Sequence, residues 1–172
     1  MAVLGQVPAF SLTERSGKTL TLENLRGKVW VADFIFTNCS SICPMMTMRM
    51  ARLAESLKSE PELRFVSFTV DPVRDTPSKL RTYASIYTKE TEHWFFLTGD
   101  KKALYKLSQE GFHLTALDRP LAELTPGEDR LVHSERFVLV DGEGRIRSYY
   151  SGTDLGSIAT LIEVIQHLLR TK

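Results

Sequence analysis

The most strand-like run in this sequence reads Val29-Trp30-Val31-Ala32-Asp33-Phe34-Ile35-Phe36. It is apolar at every position except Asp33, and most of its residues are β-branched or aromatic. Such runs are typical of a central strand that is buried on both faces of a sheet. The carboxyl group of Asp33 is the exception, because a buried polar group needs a hydrogen-bonding partner.

Helices and strands are predicted to alternate after this strand. Apolar side chains recur at spacings of three and four residues from Met46 to Leu57, which indicates a helix. A Thr-Pro pair at 76–77 supplies a capping residue and a favoured first residue for another helix. The predicted elements are a helix at 44–57, a strand at 64–70, a helix at 76–87, a strand at 94–97 and a helix at 100–110.

Hairpin patterns flank this alternating region. One hairpin is predicted from residues 9–12 and 19–22 with a turn at Ser16-Gly17, and another from residues 136–140 and 145–150. A strong apolar stripe from Leu155 to Leu169 then predicts a final helix that runs to the C-terminus. Residues 111–130 contain Pro120 and the pair Pro126-Gly127, so we interpret them as an irregular insertion.

Alternation followed by a late hairpin predicts an α/β fold. We expect a thioredoxin-like mixed sheet flanked by helices, with an N-terminal hairpin and an insertion before the late hairpin. The length of 172 residues suits a single domain, which we assign to residues 5–172. Residues 1–4 are predicted to be an artificial start or a disordered tail.

The composition excludes several classes of protein. The 22 basic and 21 acidic residues give a net charge of +1, and no basic block is present, which argues against binding to nucleic acid or to an anionic membrane surface. No apolar stretch reaches the roughly 18 residues that a membrane-spanning helix needs. The first residues lack the basic and apolar regions of a signal peptide, so a native Met1 would indicate a cytosolic protein.

Both cysteines of the chain lie between the predicted central strand and the first helix. Cys39 and Cys43 have the spacing C-x-x-x-C, which in a helix places them on one face, about 5–6 Å apart at Cβ. A helix N-terminus lowers the pKa of a thiol. Two such thiols can close into a disulfide or hold one soft metal ion. The alternative is a pair of buried structural cysteines.

A site with two thiols needs a further ligand, and four histidines are candidates. His133 precedes the strand at 136–140, and in a thioredoxin-like sheet the turn before this late strand packs against the start of the first helix. A lone histidine is otherwise more often part of a hydrogen-bonded scaffold. His93 and His113 lie in predicted loops, and His167 lies outside the apolar stripe of the final helix.

Two further groups could take part in this site. The methionines after Cys43 carry thioethers, which are soft copper ligands, but the helical pattern favours core positions for Met46 and Met50. Asp71 and Asp75 follow the strand at 64–70, whose carboxyl end lies at the same sheet edge as the cysteines. Either carboxylate could support the metal or the thiols. For Asp75 the alternative is an interaction with the next helix N-terminus.

Three blocks of this sequence resemble the Sco/SenC family of copper-binding proteins. They are Phe36-Thr37-Asn38-Cys39-Ser40-Ser41-Ile42-Cys43-Pro44, Asp71-Pro72-Val73-Arg74-Asp75-Thr76-Pro77, and His133-Ser134 leading into Phe137-Val138-Leu139-Val140-Asp141. The resemblance covers nearly the whole chain. It implies a thioredoxin-like fold and copper, as Cu(I) or Cu(II), bound by Cys39, Cys43 and His133. It also implies a role in building the dinuclear copper centre of cytochrome c oxidase subunit II.

The resemblance also carries expectations about partners and location. It implies subunit II as partner, together with an upstream copper donor or thiol reductant. Family members are normally tethered by an N-terminal membrane segment, on the outer face of the bacterial cytoplasmic membrane or facing the mitochondrial intermembrane space. We expect this tether to have been removed here.

Three biochemical roles are compatible with the cysteine pair. The leading interpretation is a copper chaperone, which binds and transfers metal rather than catalysing a reaction. The alternative is a thiol-disulfide reductase that keeps the oxidase cysteines reduced. A peroxiredoxin-like peroxidase is a weaker alternative, because Phe36 stands where the peroxiredoxin motif has a proline.

Overall fold

The predicted central strand is buried along its whole length. It spans Val29–Ile35, and all seven residues are buried.

The computed structural model describes residues 1–39, 42–118 and 131–171. Within these residues, the strands are β1 (Gly5–Gln6), β2 (Ser11–Glu14), β3 (Thr19–Thr21), β4 (Val29–Ile35), β5 (Leu63–Thr69), β6 (Trp94–Thr98), β7 (Ala116–Asp118), β8 (Leu131–His133), β9 (Arg136–Val140) and β10 (Arg145–Ser151). The α-helices are α1 (Ile42–Ser56), α2 (Pro77–Tyr87), α3 (Lys101–Lys106) and α4 (Leu155–Arg170).

Eight of these strands form one mixed sheet in the order β1-β10-β9-β4-β5-β6-β2-β3. Strands β4, β5 and β6 are parallel neighbours, whereas β9 pairs antiparallel with β4 on its other side. This arrangement confirms the predicted α/β fold with a mixed sheet. Within the described residues, no helix has both the length and the apolar character needed to cross a membrane.

The two faces of the central strands differ in chemistry. Phe34 lies opposite Phe68 in the β4–β5 register, their rings stack with centroids 4.9 Å apart, and Phe112 packs edge-on against Phe34. Asp33 lies opposite Ser67, and successive side chains on a strand point to opposite faces. The central sheet therefore has an aromatic face and a face that carries a buried polar pair.

The structure corrects three element boundaries. Helix α1 begins at Ile42 rather than at residue 44, because a proline is tolerated in the first turn, where its missing N–H has no helical acceptor. The third helix changes at Leu107 into a π-helical turn that ends at Gly111. The first hairpin is shifted along the chain to Ser11–Glu14 and Thr19–Thr21, and Gly17 supplies the positive φ of 89° in its turn.

The predicted irregular insertion is wrong in part. Ala116–Asp118 forms β7, which pairs antiparallel with β8 (Leu131–His133) in a separate two-stranded sheet. Three-residue strands show too little alternation to be recognised in a sequence, and their partners here are 13–17 residues away. Residues 119–130 of the insertion lie outside the described part of the chain. The β7–β8 pair matters because it carries His133.

Candidate metal and thiol site

The carboxyl end of β4 leads directly into the cysteine segment. The backbone N–H of Cys39 donates to the carbonyl oxygen of Phe36 at 3.2 Å, which turns the chain after the strand. Cys43 is the second residue of α1, and its N–H donates to the Sγ atom of Cys39 at 3.4 Å. Both thiols are reduced and buried, Cys43 completely and Cys39 with 8% of its surface exposed.

His133 reaches the same point from β8. Its Nε2 atom lies 2.6 Å from the Sγ atom of Cys43, and its Nδ1 atom lies 2.8 Å from the carbonyl oxygen of Ser134. A carbonyl oxygen only accepts, so Nδ1 carries the proton and Nε2 presents its lone pair to the sulfur. The ring of Phe36 packs edge-on against the imidazole, with centroids 5.6 Å apart.

The two sulfurs and the imidazole nitrogen form one compact group. The three ligand atoms all lie within 4.8 Å of one another, and all three residues are buried. Two thiolates and an imidazole are a donor set for a soft or borderline transition metal, copper included. The same two sulfurs are close enough to be candidates for a disulfide. The geometry therefore supports metal binding and thiol chemistry with the same atoms.

Burial opposes ionisation of the inner thiol. Removal from water, followed by the hydrogen bond with Cys39, raises the pKa of Cys43 far above its usual range. The expectation that the helix N-terminus would lower the thiol pKa is therefore wrong for Cys43, because desolvation outweighs the helix dipole. Cys43 must therefore lose its proton when its sulfur binds a metal ion or attacks a disulfide.

Asp75 acts on the loop that carries Cys39. Its fully buried carboxylate accepts hydrogen bonds from the N–H of Thr37 at 3.1 Å, from the hydroxyl of Thr37, and from the hydroxyl of Thr69 at 2.6 Å. Thr37 lies two residues before Cys39, so these bonds fix the start of the cysteine loop against the end of β5. The N-cap of α2 is Thr76, whose side chain accepts from the N–H of Lys79.

Asp71 lies near Asp75 and is held less firmly. Its N–H donates to the hydroxyl of Thr69 at 2.9 Å, and its Oδ2 atom lies 3.9 Å from Nε of Arg74. Burial, followed by the charge of Asp75, raises the pKa of this carboxyl group. The Oδ2 atom has no hydrogen-bond partner among the described residues. Its proposed support of the metal ligands stays a prediction.

The remaining candidate ligands are spread over the molecule. Met46 and Met50 are fully buried in the core, as their helical spacing predicted. Met45 and Met48 are exposed, at 42% and 46%. His93 lies 3.2 Å from the carboxylate of Glu90, and His113 and His167 are exposed. Among the described residues, Cys39, Cys43 and His133 are the group whose ligand atoms lie close enough together to share one metal ion.

Asp33 has the hydrogen-bonding partner that its place in an apolar strand required, but its influence on the cysteine site was not predicted. Ser67 donates its hydroxyl proton to Oδ1 of Asp33 at 2.6 Å, and the indole N–H of Trp94 donates to Ser67 at 3.1 Å. Burial raises the pKa of the Asp33 carboxyl to about 6, although the hydrogen bond from Ser67 acts in the opposite direction. The charge of Asp33 in turn raises the pKa of Cys43. The only signal in the sequence was a lone carboxylate within an apolar strand.

The raised pKa of Asp33 predicts a specific dependence of stability on pH. The folded state holds the proton of Asp33 up to about pH 6, whereas the unfolded chain releases it near the ordinary carboxyl pKa of 3.8. The contribution of Asp33 to folding stability therefore falls between about pH 4 and pH 6, by about 3 kcal/mol. In urea unfolding, Asp33→Asn should gain stability relative to the wild type as the pH rises through this window. A difference that is independent of pH would contradict the assignment.

The fold is a thioredoxin-like sheet, and a buried dithiol and an imidazole meet at the carboxyl end of its central strand. These features define a class of thiol-containing metal-site proteins. The profile of the SCO1/SenC family matches residues 5–170, so this chain belongs to that family. The SCO1 protein homolog of Bacillus subtilis is 39% identical over 151 residues, which cover 87% of this chain and 75% of that relative.

Solved structures of relatives share the fold. A SCO1/SenC family lipoprotein from Bacillus anthracis is 34% identical, with a TM-score of 0.86 and 96% of both chains covered. BsSco, described as having a disulfide switch and as a member of the Sco family of cytochrome c oxidase assembly proteins, is 32% identical, with a TM-score of 0.83 and coverage of 99% and 98%. Yeast Sco1 with copper bound is 25% identical, with a TM-score of 0.74 and coverage of 94% and 89%.

Proposed function

We propose that this protein binds one copper ion, as Cu(I) or Cu(II), through Cys39, Cys43 and His133 and passes it to the dinuclear copper centre of cytochrome c oxidase subunit II. The observation that carries this proposal is the convergence of two sulfurs and one imidazole nitrogen within 4.8 Å. Membership of the SCO1/SenC family supports it, as do the copper bound to yeast Sco1 and the description of BsSco as belonging to a family of oxidase assembly proteins.

The donor set suits the handling of copper as a cargo. The two thiolates favour Cu(I), and the imidazole helps to hold Cu(II). The hydrogen bond from Nδ1 of His133 to the carbonyl oxygen of Ser134 keeps Nε2 directed at the cysteines. Three protein ligands leave a coordination position open, so a ligand of the partner can bind before the ion is released. Transfer then proceeds by ligand exchange.

The proposal includes partners and a location. An upstream copper donor loads the reduced site, or a thiol reductant restores it, and subunit II receives the metal. We place these events on the outer face of the bacterial cytoplasmic membrane, or on the intermembrane-space side in a mitochondrial relative. The description of the Bacillus anthracis relative as a lipoprotein supports a membrane-associated location.

Thiol-disulfide reduction is the second candidate function, and the contact between the two cysteines favours it. The N–H of Cys43 donates to Sγ of Cys39, which places the sulfurs side by side at the start of α1. In this reaction, two electrons and two protons pass from the dithiol to a disulfide of subunit II. The products are a Cys39–Cys43 disulfide and two thiols on the partner. The disulfide switch named for BsSco supports this alternative.

A paired transfer assay distinguishes the two functions. The copper-loaded protein is mixed with the reduced, copper-free domain of subunit II, in the presence of a chelator that captures released copper. The copper-free dithiol is mixed separately with the oxidised domain, and the thiols formed are counted. We expect copper to reach the reduced domain despite the chelator, because the open position permits direct exchange. Loss of all copper to the chelator, with rapid reduction of the oxidised domain, would favour the reductase.

A further inference from the structure

We propose that Phe36 is a positioning residue for His133, and that its ring holds the imidazole at the cysteines and so sets how strongly the site binds Cu(II). The inference rests on the proposed use of His133 as a copper ligand. It assigns a task to a buried ring that belongs to none of the three donor groups.

The strand that carries His133 lies outside the main sheet. β8 has three residues and pairs with β7 in a separate two-stranded sheet, and two strands alone form a marginally stable unit. The hydrogen bond from Nδ1 of His133 goes to the carbonyl oxygen of Ser134, which is the next residue and moves with it. Among the described residues, the hydrogen-bonding and ring contacts that link the imidazole to other elements are those with Cys43 and Phe36.

Phe36, in contrast, is anchored to the main sheet on both sides. The residue before it, Ile35, ends β4, and its carbonyl oxygen accepts the N–H of Val70 at 2.8 Å. The residue after it, Thr37, donates its N–H and its hydroxyl to the buried carboxylate of Asp75. The ring of Phe36 is therefore a fixed surface against which a less firmly held imidazole can pack.

The contact between the two rings is directional. Their centroids lie 5.6 Å apart, and their planes are inclined at 82°. Edge-to-face pairs of this kind are favourable beyond the area that they bury, and they fix the orientation of a ring as well as its position. The contact with Cys43 is conditional, because its thiol hydrogen is lost once the sulfur is part of a disulfide. The contact with Phe36 does not depend on the state of the sulfur.

Positioning of the imidazole affects Cu(II) more than Cu(I). Two thiolates satisfy Cu(I), whereas the imidazole helps to hold Cu(II). A side chain that is free to turn loses conformational entropy when it becomes a ligand, so a preoriented imidazole binds more strongly. Removal of the Phe36 ring should therefore weaken the binding of Cu(II) and leave both Cu(I) binding and disulfide formation unchanged.

The test removes the ring and observes the imidazole without any metal. Phe36→Leu keeps an apolar side chain but lacks the aromatic contact. In reduced protein with isotope-labelled histidine, at a pH where imidazole is neutral, the NMR shifts of the two ring nitrogens show which one carries the proton. We expect one tautomer for His133 in the wild type, with the proton on Nδ1, and a mixture in the variant. The affinity for Cu(II) should fall about tenfold.

A matched control removes an equivalent ring contact elsewhere. The rings of Phe10 and Phe68 also lie 5.6 Å apart, with their planes inclined at 81°. Phe10→Leu therefore reports the general effect of losing such a pair, and it should leave the signals of His133 and the affinity for Cu(II) unchanged. Thermal unfolding shows whether each variant is folded.

A further measurement needs no substitution. When the wild type is oxidised to the Cys39–Cys43 disulfide, the thiol contact of His133 is lost but the contact with Phe36 remains, so His133 should keep one tautomer. A mixture of tautomers in this state would overturn the proposal. Unchanged His133 signals in folded Phe36→Leu, or equal changes in Phe10→Leu, would also overturn it. All these signals are read without copper, so a protein that binds no copper would refute the proposed function and still leave the positioning of His133 decided.

Discussion

Replacing Cys43 with serine is expected to abolish copper binding and disulfide formation together. Its sulfur contacts the imidazole of His133 at 2.6 Å, and its N–H donates to the sulfur of Cys39, so it is the central member of the group. A serine hydroxyl is a hard, weak ligand for copper, and it cannot form a disulfide. We expect the affinity for Cu(I) to fall at least about a thousandfold, equivalent to about 4 kcal/mol.

Competition with a Cu(I) chelator under anaerobic conditions measures this loss. The matched control is Met48→Leu, which removes another sulfur from α1 at an exposed position outside the proposed donor set. The control should bind copper as the wild type does. A Cys43→Ser variant that still forms a tight complex with one copper ion would contradict a site with two thiolates.

Replacing His133 with alanine is expected to separate the two proposed functions. The imidazole favours Cu(II), so we expect the affinity for Cu(II) to fall by roughly a hundredfold or more, whereas Cu(I) keeps both thiolates. The thiols should still close into a disulfide, because neither sulfur is removed. The side chain is buried against Phe36, so thermal unfolding must first show that the variant is folded.

Cu(II) binding can be followed by its absorbance, and disulfide formation by counting thiols after exposure to an oxidant. His93→Ala is the matched control, since His93 lies beside Glu90 rather than beside the cysteines. If the wild type and His133→Ala bound Cu(II) with the same affinity, His133 would not be a ligand of the metal.

Local patterns in the sequence predicted the part of the site that lies within one continuous segment, from the central strand to the start of α1. The apolar run gave the central strand at Val29–Ile35, and the cysteine spacing placed both thiols at the junction with α1. These features depend on hydrophobic periodicity and on neighbours within a few residues. Family resemblance then singled out His133, which the structure brings to Cys43 from 90 residues away.

Long-range contacts account for what the sequence did not predict. The pairing of β7 with β8 joins short segments on either side of the insertion, and neither has a strand pattern of its own. The hydrogen bonds of Asp75 to Thr37 and Thr69 depend on which strand ends lie side by side. The raised pKa of Asp33 depends on its complete burial, which outweighs the hydrogen bond from Ser67 in the next strand. Each of these exists only once the sheet is assembled.

Anaerobic titration of the reduced protein with Cu(I), with reactive thiols counted at each addition, tests the central claim most directly. We predict that one equivalent of copper protects both Cys39 and Cys43 and that further copper binds only weakly. If both thiols stayed fully reactive after one equivalent of copper had bound, the ion would lie elsewhere, and the proposed donor set would be wrong.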